Sequence, residues 1–214
     1  FSLEMSKEQV EDRIASIATK INLKKFITGQ FSTDNWCRII DTVGNMDKWN
    51  FFYDDTAGCS YSQIRQKARR MKHKHNIQYI IIDYLQLMSG DKSGNREQEV
   101  ASITRNMKLT AKELGIPIIL LSQLNRSLES RDNKRPRLSD LRESGAIEQD
   151  ADVVMFLYRD EVYHENSDDK GIAEITVAKQ RNGPTGTVKI AWIDKTTRFE
   201  NLAYDNKNYH ERSA

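Results

Sequence analysis

A chain of 214 residues is long enough to bury the core of one α/β domain, and 38% hydrophobic with 30% charged residues is ordinary for a soluble globular protein. The net charge of +2 is too small to argue for a polyanionic partner by itself. No apolar run approaches membrane-spanning length and no signal-peptide pattern is visible; Cys37 and Cys59 form no CxxC, which points to a reducing compartment without structural zinc.

The chain opens on Phe1-Ser2-Leu3-Glu4, which reads as the tail of a strand. A domain seldom begins inside its own sheet, so the natural protein is expected to continue upstream. Ser6 and Gln9 make a capping-box pattern that opens a helix, with Val10, Ile14, Ile17 and Ile21 as its apolar stripe. Thr33 to Asn45 is predicted as a second helix, with Trp36, Ile39, Ile40 and Val43 inward. Trp49 to Tyr53 reads as a short aromatic strand, followed by a turn through Gly58. Ser60 and Gln63 form another capping box and open a basic helix to about His75. Its run RQKARRMKHKH is read as a solvated face beside an acidic neighbour rather than a nucleic-acid patch.

Ile77 to Met88, IQYIIIDYLQLM, is the stretch around which the rest is organised. An unbroken β-branched run predicts a strand buried on both faces, at the centre of a parallel sheet. Following a strand and a helix, it implies a parallel pair with a right-handed crossover. Asp83 ends the apolar run, where ligands of open α/β sheets bind. A carboxylate there is how nucleotide hydrolases hold hydrated magnesium; equally, an Asp there closes a strand or caps a turn.

Ser89 to Arg96 is read as a mobile loop. The helix after it carries Val100, Ile103, Met107, Ala111 and Leu114 on one face, and Gly115 terminates it. Ile116 to Leu121 is a second buried strand, delivering Ser122 and Gln123 to the same edge as Asp83. Leu124 to Arg137 is dense in charge and is either solvent-facing disordered chain or a contact for a polyanion. Leu138 to Asp150 contains Leu141-Arg142-Glu143-Ser144-Gly145 and a short helical pattern, and Asp152 to Tyr158 is the next core strand. Asp160 to Lys170 is read as an exposed turn. Alternation at Ile175, Val177 and then Val188, Ile190, Trp192 brackets Asn182-Gly183-Pro184-Thr185-Gly186, an antiparallel hairpin with Lys179 and Arg181 at its base. Arg198 to Leu202 adds one more strand before a polar tail.

FSLEMS, IIIDYLQLM, ILLSQLNRSLESR, LSDLRESGAIEQDADVVMFLYR and AKQRNGPTGTV occur in that order. Together they closely resemble the C-terminal RecA-like motor domain of bacterial replicative DNA helicases, the DnaB family. The resemblance runs from Phe1 to about Leu202. It implies an α/β fold: a RecA-like P-loop NTPase core whose mostly parallel twisted sheet is flanked by helices and followed by the antiparallel hairpin. The motor domain would span residues 1–203 and the polar tail 204–214. It implies a homohexameric ring around single-stranded DNA, with ATP and Mg2+ between adjacent subunits, acting in the cytoplasm at the replication fork within the primosome.

On that resemblance Glu4 is the catalytic glutamate that polarises the attacking water, and Asp83 is the Walker B carboxylate holding magnesium through water. Gln123 is the polar sensor of the γ-phosphate. Lys179 and Arg181 reach into the neighbour's nucleotide site, where Arg suits phosphate oxygens through its permanent charge and fork geometry. Arg142, Glu143 and Gly145 form the DNA-contacting loop, with Arg142 on a phosphate, Glu143 orienting Arg142 or meeting a sugar, and Gly145 letting backbone N–H approach closely. Each has a plainer reading: a helix-leading acid, a strand-end amide, hairpin solubility, an ion-paired loop junction.

One departure stands out. The family's GxxxxGK loop followed by Ser or Thr is missing, and no Gly-Lys dipeptide occurs in the chain. In the family that loop lies upstream of FSLEMS, so truncation explains the gap. Without it the chain as it stands is expected to bind ATP poorly and hydrolyse it negligibly. Primase and the helicase loader would be met through regions partly outside this chain. Another RecA-like ring ATPase, of recombinase or clock type, and a non-catalytic oligomer scaffold are the other readings.

Overall fold

A computed structural model describes residues 1–46, 48–90, 95–141 and 145–202. The first helix, α1 (Lys7–Thr19), begins where predicted: Ser6 Oγ accepts the Gln9 N–H and the Gln9 side chain returns to the Ser6 N–H. A short α2 (Leu23–Thr28) ends on Gly29 in the left-handed region. The next helix, α3 (Thr33–Met46), forms as expected, but its face is turned. Trp36, Ile40 and Val43 are exposed and Ile39 is only half-buried, whereas Asn35 is buried. The cause is polar. Asn35 Oδ1 accepts from Lys25 Nζ at 2.8 Å, and the Arg38 guanidinium donates to the Thr19 carbonyl. These anchors hold the other side of α3 against α1 and α2.

Residues 49–53 form no strand, contrary to expectation. The Phe52 and His75 rings meet at a tilt 4.4 Å apart, as do Phe51 and Tyr53 at 6.0 Å, so the aromatic run packs locally instead of pairing. The second capped helix, α4 (Tyr61–His75), has the predicted bounds and capping box. Its cations find acidic neighbours: Arg65 and Arg69 share Glu113, and Lys67 meets Asp54 at 2.7 Å.

Two short strands, β1 (Ile80–Ile82) and β2 (Ile118–Leu120), run parallel, joined by α5 (Arg96–Leu114). The crossover helix is therefore α5, not α4. Gly115 closes α5 at φ 63°. Residues 1–3 lie along the other edge of β1: Asp83 N–H donates to Phe1 O at 2.9 Å, and Leu3 N–H donates to Asp83 O at 2.7 Å. After α6 (Gly145–Asp150) come β3 (Val153–Tyr158), β4 (Ile172–Gln180), β5 (Gly186–Ile193) and β6 (Arg198–Glu200). They form one antiparallel sheet in the order β3-β4-β5-β6. The expected hairpin is β4–β5. A mostly parallel sheet is not what the described residues form; the regular pairings are one parallel and three antiparallel.

The core gathers Ile80 and Ile82 of β1, Val100, Ile103 and Met107 of α5, and Ile64 and Ala68 of α4, with Val154 and Phe156 of β3. Burial on both faces, expected for the Ile77–Met88 strand, does not occur. Ile82 is fully buried, but Ile81 is 40% exposed and Ile119 45%. On β3, Met155 and Leu157 are likewise exposed while Val154 and Phe156 are buried. The helices α4 and α5 cover one face of the strands, so alternate side chains remain half in water.

Candidate functional site

Three chain segments end abreast at one rim. Leu3 bonds to Asp83 as described above. On the other side of β1, Leu121 N–H donates to Ile82 O at 3.0 Å and Leu85 N–H donates to Leu121 O at 2.9 Å. Glu4 follows Leu3, Asp83 follows β1, and Gln123 stands two residues beyond Leu121. The fold thus brings Glu4, Asp83 and Gln123 to the carboxyl ends of three neighbouring parallel segments. Glu4 and Gln123 are exposed and Asp83 is half-buried. A cavity of about 430 Å³ opens beside this rim, with Phe52, Tyr79, Ile81, Lys67 and Asp83 in its wall. Lys67 is held there by Asp54. Burial opposes ionisation of Asp54, yet hydrogen bonds from Lys67 and Thr56 outweigh it and keep the carboxyl below its usual range.

Among the described residues no group of three or more His, Cys, Asp or Glu side chains could cage a metal. A single half-buried carboxylate still suits magnesium, which keeps its waters and takes one or two carboxylates together with substrate phosphates.

Lys179 and Arg181 do not join the rim. Lys179 pairs in register with Val154, and Arg181 N–H donates to Asp152 O at 3.0 Å, so both sit at the start of β3. Their side chains grip the end of α6. Lys179 Nζ donates to the Glu148 carbonyl, and Arg181 Nη2 donates to the Gln149 carbonyl at 2.8 Å. Asp152 also pairs with Lys108, whose hydrogen bond holds its carboxyl below the ordinary value. Lys108 lines one shallow depression with Gly115, Pro117 and Asp152, beside the start of β2. The two cations are therefore at the amino ends of the strands, and the rim residues are at the carboxyl ends.

Arg142 and Glu143 lie outside the described residues. Gly145 is the exposed first residue of α6, with open space where a Cβ would stand. The charge-dense loop before it does not hold all its cations free for a polyanion. Arg131 pairs with the buried Asp140 at 2.7 Å. Arg135 forms two 2.8 Å hydrogen bonds with the Glu174 carboxylate and lies 4.7 Å over the Tyr158 ring. Tyr158 donates to Asp160 at 2.7 Å; burial first, and that hydrogen bond second, push its pKa up to about 12. Carboxylates too distant in sequence to be read as partners neutralise these arginines.

Sequence reasoning passed over Gln86. It sits in the 3₁₀ turn Leu85–Leu87 and bonds to the main chain of Gln123. It lies inside the IIIDYLQLM motif, but the motif assigns it no role, because its partner is 37 residues away.

Residues 1–201 match the family described as DnaB-like helicase C terminal domain. The chain is 49% identical over 212 residues to the replicative DNA helicase DnaB of Buchnera aphidicola subsp. Acyrthosiphon pisum, covering 98% of this chain and 46% of that protein. It is 47% identical over 204 residues to the replicative DNA helicase DnaB of Geobacillus stearothermophilus, covering 94% and 45%. A solved DnaB-like replicative helicase, described with its interactions with primase, superposes with a TM-score of 0.90 at 41% identity, over 94% of this chain and 49% of that one. A second solved structure, described as an ATPase domain, gives 0.90 at 40% identity, over 94% and 73%. The chain spans about half the length of the curated relatives it matches.

Proposed function

The chain belongs to the DnaB-like helicase C-terminal domain family, and from that premise we propose that it is the motor portion of a replicative ring helicase. ATP hydrolysis at subunit interfaces drives movement along single-stranded DNA and separation of the duplex at the fork. The motor unit is RecA-like and spans residues 1–203; residues 204–214, read from the sequence as polar, lie outside the described residues. The full protein works as a homohexamer in the cytoplasm, with primase and a loader as partners through regions partly outside these residues.

The observation that carries this reading is the shared rim of Glu4, Asp83 and Gln123. Phosphoryl transfer needs little covalent help from a protein; it needs an oriented water, a neutralised charge and a positioned terminal phosphate. Glu4 orients the water. Asp83 would hold Mg2+, which when bound with ATP would supply charge neutralisation at the phosphates. The exposed amide of Gln123 meets the γ-phosphate. Lys179 and Arg181, at the opposite ends of the strands, cannot serve the rim of their own chain and are supplied to the next subunit's nucleotide. Arg142, Glu143 and Gly145, at the entrance to α6, face the DNA backbone. With no aromatic platform in that segment, contact is insensitive to base sequence.

The test uses the full-length protein, because the phosphate-cradling GxxxxGK loop is not among these 214 residues. Glu4→Gln is expected to lower ATP turnover about a hundredfold or more and abolish strand displacement, with nucleotide affinity nearly unchanged. Strand displacement at the normal rate in Glu4→Gln overturns the catalytic role of Glu4, and absence of ATP turnover and strand displacement in the unaltered full-length protein would leave the scaffold alternative.

A further inference from the structure

We propose that Gln86 is a positioning residue whose side-chain carboxamide clamps the main chain of Gln123. The ladder between β1 and β2 gives out at this point. Its last rungs are Leu121 N–H to Ile82 O and Leu85 N–H to Leu121 O. The next would join Gln123 to the chain leaving β1, but that chain has already curled into the Leu85–Leu87 turn. Gln86 supplies the rung with its side chain. Its Oε1 accepts the Gln123 N–H at 3.1 Å, and its Nε2 donates to the Gln123 carbonyl at 3.3 Å and to Ser122 Oγ at 3.1 Å. A primary amide carries the same donor and acceptor as a peptide group. The ladder is thereby lengthened by one unit without strand geometry.

The clamp is itself held. The Gln86 carbonyl accepts from Arg96 Nη2 at 2.7 Å, in the first turn of α5. Arg96 pairs with Glu99, and Glu99 Oε1 accepts the Gly90 N–H at 2.7 Å. Gln86 is thus fixed to α5 by its backbone and to residues 122–123 by its amide. Gln123 consequently has both backbone groups engaged while its side chain is exposed and makes no hydrogen bond among the described residues. A residue so held starts its side chain from a fixed main-chain position and leaves the amide available to a ligand. Gln86 also lies three residues after Asp83. The clamp therefore ties the metal-side carboxylate's segment to the phosphate-side amide's segment.

What Gln123 meets rests on the function proposed above; the clamp does not. The experiment takes the full-length helicase with Gln86→Ala, Gln86→Glu, Gln123→Ala and the Gln86→Ala/Gln123→Ala double variant. It measures DNA-stimulated ATP turnover, affinity for a fluorescent ATP analogue, and amide hydrogen exchange. Gln86→Ala is expected to lower kcat about tenfold, with nucleotide affinity within about twofold. Exchange of the Gln123 amide should rise about tenfold while α5 and β4 keep their protection, which also certifies the fold. Gln86→Glu keeps the acceptor but loses the donor, so the Gln123 amide should stay partly protected while turnover still falls. The double variant should be no slower than Gln123→Ala, because both act through one group. Unchanged exchange at Gln123 in Gln86→Ala sinks the clamp whatever the kinetics. Normal kcat in Gln86→Ala, or effects that multiply in the double variant, overturn positioning through Gln123. Normal kcat in Gln123→Ala is a different failure, that of the phosphate role assigned to Gln123, and the catalytic part of the clamp falls with it.

Discussion

Glu99 shows how one carboxylate can anchor a junction. Its oxygens accept from the Gly90 N–H and from Arg96, and these contacts, in that order, hold its pKa below the ordinary value. A depressed folded pKa stabilises the protein above the unfolded value of about 4.3, and that contribution is lost as pH falls through the folded value. Glu99→Gln is therefore expected to cost about 1 kcal/mol at neutral pH, and the gap from the parent should close below about pH 4. Urea unfolding midpoints of the domain between pH 7 and pH 3 check this; a gap that does not narrow at all over that range would assign the effect to packing instead. Gln86 belongs to the same scale. A glutamine after an apolar strand has no distinguishing pattern, and only the contact across 37 residues gives it a role.

The tie between the charged loop and the antiparallel sheet is a matter of elements. Glu174 is buried on β4, and its partner Arg135 is half-exposed on the loop. Removing the arginine strands a carboxylate out of water; removing the carboxylate leaves an arginine that can turn to solvent. Arg135→Ala is thus expected to cost about 2 kcal/mol and Glu174→Ala distinctly less. Calorimetric melting of the two variants decides, and equal losses would show that burial asymmetry is not the cause. Helix facing obeys the same logic. The stripe on α3 resembles a core face, yet Asn35 and Arg38 find fixed partners in α1 and α2 and turn it outward. An apolar pattern says that a helix has a face; it does not say which neighbour claims the other side.

At the scale of the whole molecule, the decisive distance is between the two ends of the strands. Rim residues and the cations Lys179 and Arg181 lie at opposite ends of the strands, so on the function proposed above a complete site draws on two chains. Mixed rings of Glu4→Gln and Arg181→Ala subunits contain interfaces where an intact Glu4 faces an intact Arg181. For random one-to-one mixing, about a quarter of interfaces are complete, and ATP turnover should recover accordingly although each variant alone is inactive. No recovery would place both residues in one subunit's site. In the separate chain, Lys179 and Arg181 rest on the C-terminal carbonyls of α6, the helix that opens at Gly145.

Sequence alone determined whatever depends on residues close in the chain. The capping boxes at Ser6 and Ser60, the Gly115 stop, the hairpin around Gly183 and the placement of Asp83 after an apolar strand are set by hydrogen bonds and dihedral preferences a few residues wide. The ordered motifs added the family and candidate roles. Tertiary structure decided the rest: that 49–53 stays out of any sheet, that the central strands bury one face, that the later strands form a separate antiparallel sheet, and that Gln86 reaches Gln123. Those outcomes turn on which distant groups compete for one edge, one face or one donor. That competition is settled only when the chain is folded and each buried polar group has found its partner.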